Sequence, residues 1–216
     1  MAQRHYAALF LLRPGEYCAG GTDTVSTPFN LRDIQFFVRD QPTQPTTASA
    51  TTCAAATFVS LLFTTQNNGV KGELIGHGAT GHPRACAVEA IRRRVAHLRQ
   101  HGATSDTHIA AVFNGVKWST LGSDKINVAL RAATTIIVPQ VGFTLEDISA
   151  RSMRAGGAMA LLMARVDTDT ICLMGMWRSD IMLRYLHTTA QTLTEELAAR
   201  MVHHGDYALI PPAHRD

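Results

Sequence analysis

The sequence predicts an α+β fold: a mainly helical domain with a small three-stranded antiparallel sheet along one edge. Three observations carry this. Residues 31–38, with Ile34, Phe36 and Phe37, and residues 58–65 are β-branched and aromatic runs of strand length. Asn67-Asn68-Gly69 is a strong turn signal, which lets residues 70–75 return as a third strand. Beyond residue 86 the apolar positions recur at helical rather than alternating spacing.

Taken in order, residues 2–12 are apolar and can be helical, and Pro14-Gly15 marks a stop or turn. After the first strand, residues 41–56 are mostly Gln, Pro, Thr, Ser and Ala, a composition that suggests a flexible loop. The helix expected over 86–100 spaces Val88, Ile91, Val95 and Leu98 along one face and stops at His101-Gly102. Further helical segments are expected at 126–133, 144–148, 152–164, 168–174, 181–186 and 192–203. No internal repeat and no domain boundary is evident, so residues 1–216 read as a single domain.

Composition narrows the class. The chain is 46% hydrophobic and 17% charged, which suits a globular domain. No apolar run reaches the roughly 18 residues of a membrane span, and no signal-peptide cleavage site follows residues 7–12. Neither a membrane partner nor secretion is expected. Cys18, Cys53, Cys86 and Cys172 lie far apart without a C-x-x-C pair, against a zinc cluster or a disulfide framework. A reducing, intracellular compartment is the simpler expectation. Net charge is only +3, but residues 84–101 hold Arg84, Arg92, Arg93, Arg94 and Arg99 against one acid, Glu89. That face permits contact with a polyanion, but from charge alone a solvated helix surface is the preferred reading.

Gly76-His-Gly78-Ala-Thr-Gly81 fits the dinucleotide-binding pattern G-x-G-x-x-G. The strand before it carries Lys71 and Glu73, Pro83 and Arg84 delay the helix, and no acid follows about 20 residues later. A glycine-rich loop leaving a hairpin is the preferred reading, and no cofactor is expected.

The C-terminal half carries Arg151-Ser-Met-Arg154-Ala-Gly-Gly, Gly175-Met-Trp177-Arg-Ser-Asp180 and Leu183-Arg-Tyr185-Leu-His187. Arginine suits a phosphodiester, because its planar fork binds two oxygens and stays charged. Tyrosine can attack phosphorus and hold the strand end covalently. Such a transfer needs charge stabilisation and an acid for the leaving oxygen, and no metal if cations surround the phosphate.

Arg151-x-x-Arg154, Trp177 and Tyr185, in this order, resemble the second motif box and nucleophile box of the tyrosine recombinase (phage integrase) family. Leu11-Leu-Arg13-Pro-Gly-Glu16-Tyr resembles its first box. The likeness covers about residues 7–190 and is nearest to the recombinases of tyrosine-recombinase retrotransposons, a class of mobile element. It implies DNA breakage and rejoining, as in site-specific recombination or DNA integration, through a 3′-phosphotyrosyl intermediate. Double-stranded DNA would be the partner, a homo-oligomer would assemble on it, and a eukaryotic protein would be nuclear, any other cytoplasmic. Arg13 and Arg154 would clamp the phosphate, Trp177 would donate its indole N–H, and Tyr185 would be the nucleophile. Arg151 stands where the family usually has His. The family's hairpin Lys falls on Asn67 in the best register, leaving Lys71, four residues on, as the substitute acid. The family's separate N-terminal DNA-clamping domain is not expected in this chain. The two departures motivate an alternative: a decayed recombinase-like domain that binds DNA without cleaving it.

Overall fold

A computed structural model describes residues 7–19, 27–64, 71–82, 85–136, 138 and 144–177. The α+β class holds, with a larger sheet and a smaller helical excess than expected. Among the described residues the main sheet has four strands, all antiparallel: β1 (Ile34–Val38), β2 (Gln41–Thr43), β3 (Phe58–Leu62) and β4 (Leu74–Gly78), in the order β2-β1-β3-β4. The extra strand is β2. Val38 and Gln41 pair across Arg39-Asp40, whose φ angles of 50° and 64° make the two-residue left-handed turn of a tight hairpin. Pro42 fits because β2 is an edge strand, where a missing N–H costs no ladder bond.

The segment 41–56, expected as a flexible loop, therefore holds β2 and a short helix, α2 (Ala50–Ala54). The first helix with a complete description is α1 (Pro14–Tyr17). Ser49 caps α2 by accepting from Thr52 N–H at 3.0 Å. Arg99 fastens the turn before it, donating to the carbonyls of Pro45 (2.8 Å) and Ala48 (2.7 Å).

Helix α3 (Ala87–Gln100) packs on β3 and β4. Its buried Val88, Ile91, Val95 and Leu98 are the predicted face, and they share one core with Ile34, Phe36, Val59, Leu61 and Ile75 of the sheet. Gly102, with φ 78°, ends the helix as expected, and Ala103 N–H returns to the Leu98 carbonyl at 3.1 Å. A second sheet was not foreseen: β5 (Ala111–Phe113) and β6 (Trp118–Thr120) form a hairpin inside a stretch expected to be helical. The remaining helices are α4 (Ser123–Thr134), α5 (Arg151–Met163) and α6 (Thr168–Gly175), with residues 145–147 a 3-10 turn. The helices expected at 181–186 and 192–203 lie outside the described residues, as do the Asn67-Asn68-Gly69 turn and Arg84. No helix of the described residues is long and apolar enough to cross a membrane.

Candidate active site

The site is built on α5. Its start is pinned twice: the Tyr17 hydroxyl donates to the Ala150 carbonyl at 2.9 Å, and Ala150 N–H donates to Asn127 Oδ1 at 2.7 Å. Arg151, at the first position of the helix, is exposed. Arg154, three residues on, faces inward and is only 6% exposed. Another turn along, Gly157 lets the N-terminal segment lie against the helix, since a Cβ there would sit 2.2 Å from the Ala8 carbonyl oxygen.

That close approach brings Leu11 to Arg154. The guanidinium donates to the carbonyls of Leu11 and of Gly175, the last residue of α6. Both carbonyls belong to left-handed turns at non-glycine residues: Leu11 has φ 52°, and Met176, next to Gly175, has φ 51°. Such positions carry strain that the surroundings must hold in place. The Arg154 guanidinium also stacks on the Trp177 ring, 4.0 Å from its centroid. Gly175 makes room for that ring, because a Cβ at this position would meet it at 1.9 Å.

Arg13 precedes α1, and its N–H donates to the Glu16 carboxylate at 2.7 Å. Glu16 is only 2% exposed. Burial pushes its carboxyl above the usual range, opposed by the Arg13 N–H and by the charges of Arg154 and Arg13. The two arginines of the first and second motif boxes thus act on one buried carboxylate. Because the folded carboxyl holds its proton more tightly than the unfolded one, its contribution to stability is fully present below the ordinary carboxylate pKa. That contribution is lost as pH rises from there through the raised folded value. Glu16→Gln keeps an acceptor for Arg13 N–H and removes this titration. Urea unfolding across pH 4 to 7 is expected to show the wild type losing stability relative to Glu16→Gln as pH rises. A constant difference would show that Glu16 does not titrate in this way.

Trp177 also walls a cleft of about 480 Å³ between β4 and α6, where Glu73, Ile75 and Gly76 face Met174 and Met176. Lys71 is exposed at the end of the β3–β4 hairpin, two residues before Glu73. Its neighbour Gly72 donates N–H to the Phe63 carbonyl at 2.8 Å, so the ladder reaches almost to Lys71. The structure links Arg13 and Arg154 through Glu16, and Arg154 to Trp177, with Arg151 one turn away on the surface. It sets Lys71 on the hairpin whose strand β4 forms the opposite wall of the cleft. Tyr185 lies outside the described residues.

The basic face of α3 is largely engaged within the fold. Arg92 and Arg93 pair with Glu89, and buried Arg94 donates to the carbonyls of Ile109 (2.7 Å) and Ala111. Arg99 holds the β2–α2 turn. The glycine-rich run is no cofactor cradle of the parallel type, because Gly76 and Gly78 lie within antiparallel edge strand β4. Gly76 instead accepts the Phe58 ring, which would lie 2.3 Å from a Cβ. Sequence reasoning missed the backbone carbonyls of Leu11 and Gly175 as partners of Arg154, which no side-chain motif encodes. Compared with protein-family models, curated proteins and solved structures, the chain matches none.

Proposed function

We propose that this chain is the catalytic domain of a tyrosine recombinase, breaking and rejoining double-stranded DNA. The observation that supports it best is that residues of separate motif boxes are linked in space: Arg13 and Arg154 act on one buried carboxylate, and Arg154 stacks on Trp177, which walls a cleft. In the proposed step the Tyr185 oxygen attacks phosphorus, a tyrosyl–phosphate bond forms at the 3′ end, and the bond to the 5′ oxygen breaks. A proton passes to that oxygen, and the reverse attack rejoins the strand without external energy. Positive charge from the arginines stabilises the crowded phosphate. Exchange between two duplexes needs several breaks, so copies of the chain would act together on DNA. Within this reading the gene belongs to a mobile element, with DNA integration as its outcome and the nucleus as its site in a eukaryote.

A second reading has its own observation. Arg154 is buried and already serves two backbone carbonyls, and Arg151 replaces the family's His. A chain that retained these residues for folding alone would be a decayed domain that binds DNA without cleaving it. Trapping on a randomised library of nicked duplexes separates the two. The enzyme gives a protein–DNA adduct that survives denaturation and vanishes in Tyr185→Phe, whose packing is nearly unchanged. Retained DNA without an adduct supports the decayed domain. An adduct with Tyr185→Phe would refute the nucleophile, and no retention at all would sink both readings.

A further inference from the structure

Away from this site, four rings form a row along the seam between α3 and the β5–β6 hairpin. His97 and His101 have centroids 4.8 Å apart, His101 and Phe113 5.1 Å, and Phe113 and Trp118 5.2 Å. Phe113 and Trp118 are paired across the hairpin, so they share one of its faces. His97 and His101 lie four apart at the end of α3 and share one face of the helix. The row is not sealed into the core: His97 and Trp118 are exposed, His101 and Phe113 partly so. Trp118 keeps 37% of its surface open to solvent.

We infer that this row is a stacking platform for the bases of an unpaired DNA strand. Flat, half-open rings offer π faces, which any base can cover, and a duplex keeps those base faces hidden. The surroundings suit a polyanion. Between residues 90 and 122 the single acid is Asp106, and it is paired with Arg32. At one end of the row stands Arg93, exposed and four residues before His97; it shares Glu89 with Arg92, so that the three keep a net positive charge. At the other end exposed Lys117 adjoins Trp118. A phosphate backbone running along the seam meets cations at both ends and rings between them, the combination by which single strands are held without sequence preference. The platform stands independently of the proposed strand-transfer chemistry, because none of its residues belongs to that site.

The test is fluorescence anisotropy of the full chain with a labelled thymidine oligonucleotide, run beside a duplex of equal length. The wild type is expected to bind the single strand. Trp118→Leu, which keeps apolar cover over the hairpin but removes the π face, should weaken that binding roughly five- to 150-fold. Trp118→Phe should retain most of it, and duplex affinity should move less than about twofold in both. Circular dichroism melting confirms that each variant is folded. No single-strand binding by the wild type, or equal affinity in Trp118→Leu, overturns the platform. Parallel losses on single strand and duplex overturn it too, since they mean general electrostatics. Adduct formation through Tyr185 should persist in Trp118→Leu on short nicked duplexes, so failure of the platform and of the recombinase reading are distinguishable.

Discussion

Arg154→Ala is expected to lower stability and, under the proposed function, strand cleavage, each by a large factor. The side chain is buried, donates to the Leu11 and Gly175 carbonyls, covers the Trp177 ring and faces the charge of Glu16. Truncation leaves two carbonyls short of a donor and a buried acid without one of its cations. Breaking such an arrangement typically costs about 3 kcal/mol or more. The two left-handed turns at Leu11 and Met176 would relax as well, because Arg154 is a bond they share. For cleavage, loss of one charge-stabilising group costs on the order of 10²–10³ in rate. Arg154→Lys keeps the charge but cannot bridge two carbonyls with a planar fork, so it should recover stability only in part and activity less. Urea unfolding and single-turnover cleavage measure the two effects. Unchanged stability in Arg154→Ala would refute the role as a clasp, and full activity in Arg154→Lys would refute the phosphate clamp. Arg13→Ala, whose side chain is more open, should cost cleavage by a similar factor with less stability.

How far these features could be read beforehand depends on what encodes them. The α3 face was legible because Val88, Ile91, Val95 and Leu98 repeat at the helical period and a glycine follows. The β1–β2 hairpin was not, because its left-handed turn is made by Arg39-Asp40 rather than by Asn-Gly, and Pro42 reads as loop until β2 is seen to be an edge. The β5–β6 hairpin does carry a signal in the sequence. Asn114-Gly115 sits between Ala111-Val-Phe and Trp118-Ser-Thr, with Gly115 at φ 95° and Asn114 Oδ1 accepting from Val116 and Lys117 N–H.

The candidate site divides in the same way. Arg13, Arg154 and Trp177 were legible as the residues that carry the family resemblance. Their actual neighbours were not. Leu11 contributes a carbonyl, which every residue has, and Gly157 contributes only the absence of a Cβ. The arginines of α3 show the reverse error. A cluster of like charges suggests a surface for polyanions, yet Arg94 and Arg99 already donate to backbone carbonyls of the folded chain. Sequence reports charge, but only the fold reports which charges are already spent.

The second large effect concerns the leaving group. A phosphotyrosyl transfer expels a 5′ alkoxide, which leaves slowly unless an acid protonates it. Under the proposed function the nearest hairpin candidate is Lys71, since Asn67 stands at the position of the family's Lys. Lys71 is exposed, and Gly72 after it has φ 80°, so the chain turns out of the strand pattern just there. Simple alternation along β4 therefore does not decide which way the ammonium faces. Its reach does favour the role: Lys71 is carried on the hairpin whose β4 strand forms the cleft wall opposite Trp177. If Lys71 donates the proton, Lys71→Ala should cut single-turnover cleavage of ordinary DNA by about 10²–10⁴, the usual worth of a positioned acid. Cleavage should return on a duplex with a 5′-bridging sulfur at the scissile phosphate, because a thiolate leaves without protonation. Stability should hold, as the side chain is exposed and away from the core. Equal impairment on both substrates would assign Lys71 to DNA binding instead. A gain of activity in Asn67→Lys, with Lys71→Ala silent, would mean that the acid has been lost from this chain, and it would move the balance to the decayed domain.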